Sequence, residues 1–237
     1  MRLFVLFFSL LFVSCHTEQP APLPPPSGSL PPRTPTTAAI SYLALGDSYT
    51  IGEGVTNAER WPVQLAAMAQ QRNVNVQEPD IIARTGWTTS ELASAIASAQ
   101  ITRTYDLVSL LIGVNNQYRG ESLAKYRTEF QQLLRTALAR AANRPGRVIV
   151  LSIPDWGQSP FANGQDRARI GAEIDQFNAV ARQECQAVGV SFIDITPITR
   201  GAAGDDAQFT RDRLHYSGEH MRRWADQALF VVEAAVK

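Results

Sequence analysis

Apolar residues are distributed along this chain in two alternating patterns. Runs of branched and aromatic residues that stop at glycine, proline or asparagine predict strands, and stretches with apolar residues three or four apart predict helices. The first run, Ile40 to Leu45, stops at Gly46-Asp47-Ser48, and Gly52 and Gly54 follow shortly after; this predicts a strand emptying into a turn. Further strands are predicted over 74–82 (interrupted by Pro79), 105–112, 147–153 and 190–195. Helices are predicted over 61–72, with Pro62 in its first turn, and over 92–99 behind the capping sequence Thr88-Thr89-Ser90-Glu91. The 122–142 helix carries Tyr126, Phe130, Leu133, Leu134 and Leu138 on one face, and two more helices are predicted over 166–187 and 217–236. Strand and helix in alternation predict an α/β domain with a mostly parallel sheet. The run over 105–112 is apolar almost throughout, as expected of a strand covered on both faces.

In such sheets the sites lie at the carboxyl ends of the strands, which is where Ser48 falls. A serine hydroxyl is a weak nucleophile until a base takes its proton. The bland alternative is a serine that caps the following helix. Only two histidines, His215 and His220, lie in the domain. Asp212 precedes His215 by three residues, close enough to hold the ring nitrogen facing away from the serine, and His220 lacks such a partner. Asp212 could instead pair with Arg211 or Arg213 on the surface, but such pairs contribute little and its spacing to His215 keeps the orienting role ahead.

Gly46-Asp47-Ser48-Tyr49 near the start and Asp212-x-x-His215 near the end resemble the first and last blocks of the SGNH, or GDSL, hydrolase family. Gly86, just after Ile81-Ile82, matches the second block, and Gly113-Val114-Asn115-Asn116 matches the third, so the four blocks span residues 40–237 in family order. The resemblance implies a three-layer α/β/α flavodoxin-like fold, its mostly parallel sheet five-stranded with the first strand in the middle. It implies a serine ester hydrolase with Ser48 as nucleophile, His215 as base, Asp212 as its orienting partner, and Ser48, Gly86 and Asn115 as the oxyanion hole. It calls for no cofactor. Candidate substrates are small esters (lysophospholipids, short-chain esters, thioesters, O-acetylated glycans), with no ranking among them. Asn116 stands where the family usually has aspartate, and Tyr216 where proline often follows the histidine; Tyr216 either shapes its loop or lines the cleft. The pattern G-x-S-x-G is absent, which argues against an α/β-hydrolase. The alternative is a surface-tethered module of the same fold that binds carbohydrate or lipid without cleaving it.

Composition narrows the partners. Past residue 14 there are 21 basic and 22 acidic residues and no basic run to follow phosphates, so nucleic acid is not expected. His215 and His220, five apart, make a poor chelating pair, and no Cys/His cluster suggests a metal. Cys185 lies on the apolar side of a predicted helix, where an inert buried thiol is expected. Trp61, Trp87, Tyr118, Trp156 and Phe161 fall on segments that end near the cleft, where they either line it or pack the core.

Arg2 and the eleven-residue apolar run Leu3 to Val13 have the layout of a signal peptide over residues 1–14. Phe12-Val13-Ser14-Cys15 resembles a bacterial lipobox, which predicts acylation of Cys15 after cleavage; the alternative is an ordinary secretory leader with an incidental cysteine. Residues 16–38 hold eight of the fourteen prolines, a composition that builds no core and predicts an extended linker over 15–38. The expected arrangement is an exported, lipid-anchored protein of the cell envelope, on the outer membrane if the host is Gram-negative, with the catalytic domain over 39–237. Nothing in the pattern specifies an oligomeric state.

Overall fold

The computed structural model describes residues 38–236. The expectations for the leader, Cys15 and the proline-rich linker lie outside the described residues.

Five strands form one parallel sheet: β1 (Tyr42–Gly46), β2 (Asp80–Ala83), β3 (Leu107–Leu111), β4 (Val148–Leu151) and β5 (Ser191–Ile193), in the order β2-β1-β3-β4-β5. The α/β class and the parallel sheet are as the alternation predicts. The place of the first strand is corrected: β1 is internal, flanked by β2 and β3, and β3 holds the middle. The second strand is also shorter than its predicted 74–82. Proline has no N–H to give a ladder, so continuous pairing begins only after Pro79, and upstream a single bridge joins Val76 to Ile40.

Every residue of β1, β3 and β4 is buried, which requires cover on both faces. The helices supply it in two sets. On one side α2 (Trp61–Gln71) packs along α8 (Gly218–Val236); on the other α3 (Thr89–Ser98) packs on α5 (Leu123–Arg140), which packs on α6 (Arg167–Ala187). The helix starts follow capping chemistry. Thr88 and Glu91 form a reciprocal box at α3, Ser122 accepts from the Lys125 amide at α5, and Asp166 accepts from the Arg169 amide at α6.

Register does the positioning. Gly46 sits level with Ala83 on one side and Leu111 on the other. Ser48, Gly86 and Asn115 therefore lie two, three and four residues past three aligned strand ends, and the topology delivers them to one edge. The approach of β1 to β3 at this rung is close enough to demand glycine: a Cβ on Gly46 would overlap the Thr50 hydroxyl and come within 2.5 Å of the Leu111 carbonyl.

Candidate active site

Ser48 opens the one-turn helix α1 (Ser48–Ile51), and Asp47 caps it by accepting from the Tyr49 amide at 3.1 Å. Asn115 is carried by another short helix, α4 (Val114–Tyr118), which starts directly after Gly113. His215 comes from a tight loop closed by the bridge between Phe209 and Tyr216, where the Thr210 amide donates to the His215 carbonyl at 2.8 Å. These three segments meet around a cavity of about 160 Å³ lined by Ser48, Asn115 and His215, with Tyr49, Val114, Tyr118, Trp156, Phe161 and Leu214 as its apolar wall. Ser48 and His215 are both buried, and the Ser48 hydroxyl has no hydrogen-bond partner among the described residues.

Asp212 lies on the other side of the imidazole, its Oδ2 2.6 Å from His215 Nδ1. The remaining oxygen, Oδ1, accepts from the Thr210 hydroxyl at 2.8 Å, the Leu214 amide at 2.9 Å and the His215 amide at 3.0 Å. Partial burial pushes this carboxyl up, but the hydrogen bonds from His215, Leu214 and Thr210 outweigh it and bring the pKa down to about 2. Neither neighbouring arginine competes for it: Arg213 turns instead toward Asp206, at 3.6 Å. Across the imidazole, Tyr49 packs edge-on at 5.3 Å between centroids, so the ring is held on two sides.

Gly86 is not a wall of the cavity but is tied to it through its neighbour, since Asn115 Nδ2 donates to the Trp87 carbonyl at 2.9 Å. Asn116 is fully buried and structural. It accepts from the Thr89 amide at 3.1 Å and donates to Glu121 and to the Thr89 hydroxyl at 2.7 Å, so the amide does the work of joining α3 to the α4 turn. Tyr216 is settled in favour of loop shape: it is wholly buried, stacks on His220 at 4.5 Å and donates to the Asp155 carbonyl at 3.0 Å. Of the five aromatics flagged by sequence, Tyr118, Trp156 and Phe161 line the cavity, Trp61 is core, and Trp87 packs partly buried against the core. Cys185 is buried, and its thiol pKa is pushed up to about 12 by burial. Among the described residues no group of three His, Cys, Asp or Glu side chains could hold a metal ion.

Sequence reasoning missed Gln117. Its amide accepts from the Trp156 indole N–H at 2.7 Å and donates to Glu173 on α6, also at 2.7 Å, which locks the back of the aromatic wall. The available signal was a polar residue two positions beyond Asn115 in a segment too short to show periodicity.

Two buried groups near the site titrate in opposite senses. Burial raises Asp47 to about 7 against hydrogen bonds from backbone amides, and its Oδ2 has no partner among the described residues. Burial, helped by Arg223, lowers His220 to about 4. Asp47 binds its proton more tightly folded than unfolded, so its contribution is fully present below the unfolded value of about 3.9 and is lost as pH rises through about 7. His220 binds its proton less tightly folded, so its contribution is present above about 6.5 and is lost as pH falls through about 4. Between pH 4 and 6.5 the two slopes oppose. Asp47→Asn, which keeps the helix cap, should leave only the histidine slope, so its melting temperature should climb more steeply over that window than the wild type's. Parallel curves for the two proteins would refute the assignment.

Comparison with known proteins agrees with this architecture. The sequence model of the GDSL-like lipase/acylhydrolase family matches residues 44–223. No curated protein sequence matches the chain. Among solved structures, an acetylxylan esterase from Geobacillus stearothermophilus superposes with TM-score 0.66 at 16% identity, over 84% of this chain and 96% of that one. The lipase/acylhydrolase from Enterococcus faecalis gives 0.63 at 17%, over 84% and 97%. The psychrotrophic esterase EstA from Pseudoalteromonas sp. gives 0.63 at 16%, over 82% and 97%. At such identities the likeness is one of fold, whereas the family match runs from β1 through the first turns of α8 and takes in all four sequence blocks. The chain belongs to the GDSL-like lipase/acylhydrolase family.

Proposed function

We propose that the protein is a serine hydrolase of carboxylic esters that works through an acyl-enzyme. Ser48 Oγ attacks the ester carbonyl as His215 Nε2 takes its proton, and Asp212 keeps the other ring proton on Nδ1 and stabilises the imidazolium. The oxyanion is received by the backbone N–H groups of Ser48 and Gly86 and by Asn115 Nδ2. The alcohol leaves with the proton returned by His215. Water, deprotonated by the same imidazole, then attacks the acyl-enzyme and frees the acid and Ser48. The observation that carries this reading is the pairing of Asp212 with the far side of His215, 2.6 Å away, while His215 and Ser48 share one small cavity.

The size of that cavity bears on the acyl group. At about 160 Å³ it falls below the roughly 300 Å³ at which sites for drug-sized ligands begin. Its base, Trp156, is buried and anchored through Gln117, whereas Tyr118 and Phe161 at the rim are exposed. The reading is a short acyl chain seated against Trp156, as in an acetyl or butyryl ester. The test is a series of p-nitrophenyl esters of increasing chain length together with fluorophosphonate labelling. Turnover is expected to favour acetate and butyrate over decanoate, with the label on Ser48. A folded protein that hydrolyses none of them and takes no label would instead be a binding module.

A further inference from the structure

We propose that Arg119 is a positioning residue for the oxyanion hole, holding the Gly86 loop in register with Asn115. The inference rests on the reading of Gly86 and Asn115 as oxyanion donors. Gly86 stands in the loop between β2 and α3 with φ +84, a conformation that costs glycine little and fixes it poorly. Its peptide must nevertheless hold one orientation if its N–H is to meet a developing negative charge, because a preorganised donor stabilises a transition state only when already aimed. Three side chains tie this loop down. Asn115 Nδ2 donates to the Trp87 carbonyl at 2.9 Å, Arg119 Nη2 donates to the Gly86 carbonyl at 2.6 Å, and Thr85 Oγ1 donates to the Glu53 carboxylate.

Asn115 and Arg119 are four residues apart, one turn of the short α4 and its C-cap, so they project from the same side onto consecutive carbonyls. A single turn of backbone thus sets both side-chain donors against the loop. Arg119 is steadied in turn by Glu91, whose carboxylate lies 3.4 Å from Nη1 and which also completes the cap of α3. The guanidinium is about half exposed and already paired with Glu91, so its charge is screened. What it supplies is a fixed Gly86 carbonyl on one flank, which with the Thr85–Glu53 bond on the other leaves the Thr85–Gly86 peptide, the one that carries the Gly86 N–H, pinned between two anchors.

The experiment compares wild type, Arg119→Ala and Arg119→Lys on p-nitrophenyl acetate. Removing a whole oxyanion donor typically costs 10²–10³ in kcat, and loosening one should cost about tenfold, with KM within about twofold of wild type. Lysine, which offers a single ammonium nitrogen on a flexible stem, should recover part of the loss. Guanidinium ion at sub-denaturing concentration should restore the alanine variant while leaving the wild type unchanged. The proposal is overturned if Arg119→Ala keeps the wild-type kcat, if the loss appears in KM alone, or if neither lysine nor guanidinium recovers any of it. A wild type that shows no turnover and leaves Ser48 unlabelled would instead remove the parent reading, and that result is obtained before any variant is made.

Discussion

Ser48→Ala is expected to lower ester hydrolysis roughly 10⁴–10⁶-fold while leaving the melting temperature unchanged. The two halves of this result have separate causes. The hydroxyl caps no helix and bonds to no neighbour among the described residues, because the cap of α1 is Asp47, so its removal takes nothing from the fold. Alanine also suits the first turn of a helix. What disappears is the covalent route, and the remaining donors can only polarise a carbonyl for direct attack by water. Measured turnover with p-nitrophenyl acetate, alongside thermal denaturation, checks both. Retention of more than about a tenth of the activity would sink Ser48 as nucleophile, since removing one member of a triad costs far more than that.

Asp212→Asn should cost on the order of 10³–10⁴ in kcat. The surroundings of Asp212 dictate which way the new amide would face. Oδ1 accepts from three donors, Thr210 Oγ1 and the amides of Leu214 and His215, so the carboxamide oxygen must take that place and the NH₂ must turn toward His215 Nδ1. Two donors cannot share a hydrogen bond. The imidazole therefore moves its proton to Nε2, and the nitrogen that should accept from Ser48 arrives already protonated. Asp212→Ala leaves the tautomer free and should be less harmful than the isosteric asparagine. Equal losses would mean that Asp212 acts by charge alone, and a milder asparagine that it acts by holding the ring in place and not by setting its tautomer.

The long elements were legible because their periodicity runs over enough residues to be distinguished. Helices over 61–72, 122–142 and 166–187 appear within two residues of their predicted ends, and 217–236 begins one residue late. The placement of the candidate site residues at one sheet edge was legible because the sequence blocks fall just past apolar strands, where a parallel sheet exposes its loops. What could not be read is local or relational. The one-turn helices α1 and α4 have four and five residues, too few to show a period, yet they aim Ser48 and Asn115. The direction of Tyr216 depends on a carbonyl far away in sequence, and the reach of Arg119 depends on where the β2–α3 loop folds back. Pro79 was visible, but its effect, cutting the second strand to Asp80–Ala83, follows only once the neighbour in the ladder is known.

The buried hydroxyl of Tyr216 joins two segments 61 residues apart: Tyr216 follows His215, the proposed base, and donates to the carbonyl of Asp155, the residue before Trp156. Asp155 is itself fixed by Arg200 Nε at 2.9 Å. A bond of this kind makes the two segments a single unit of inheritance. Chimeras that exchange one of them between relatives would graft a pocket wall onto a base loop shaped for a different one, and directed evolution of either should accumulate compensating changes in the other. Recombination libraries for this protein are therefore best cut so that the segment holding Asp155 and Trp156 travels with the one holding His215 and Tyr216.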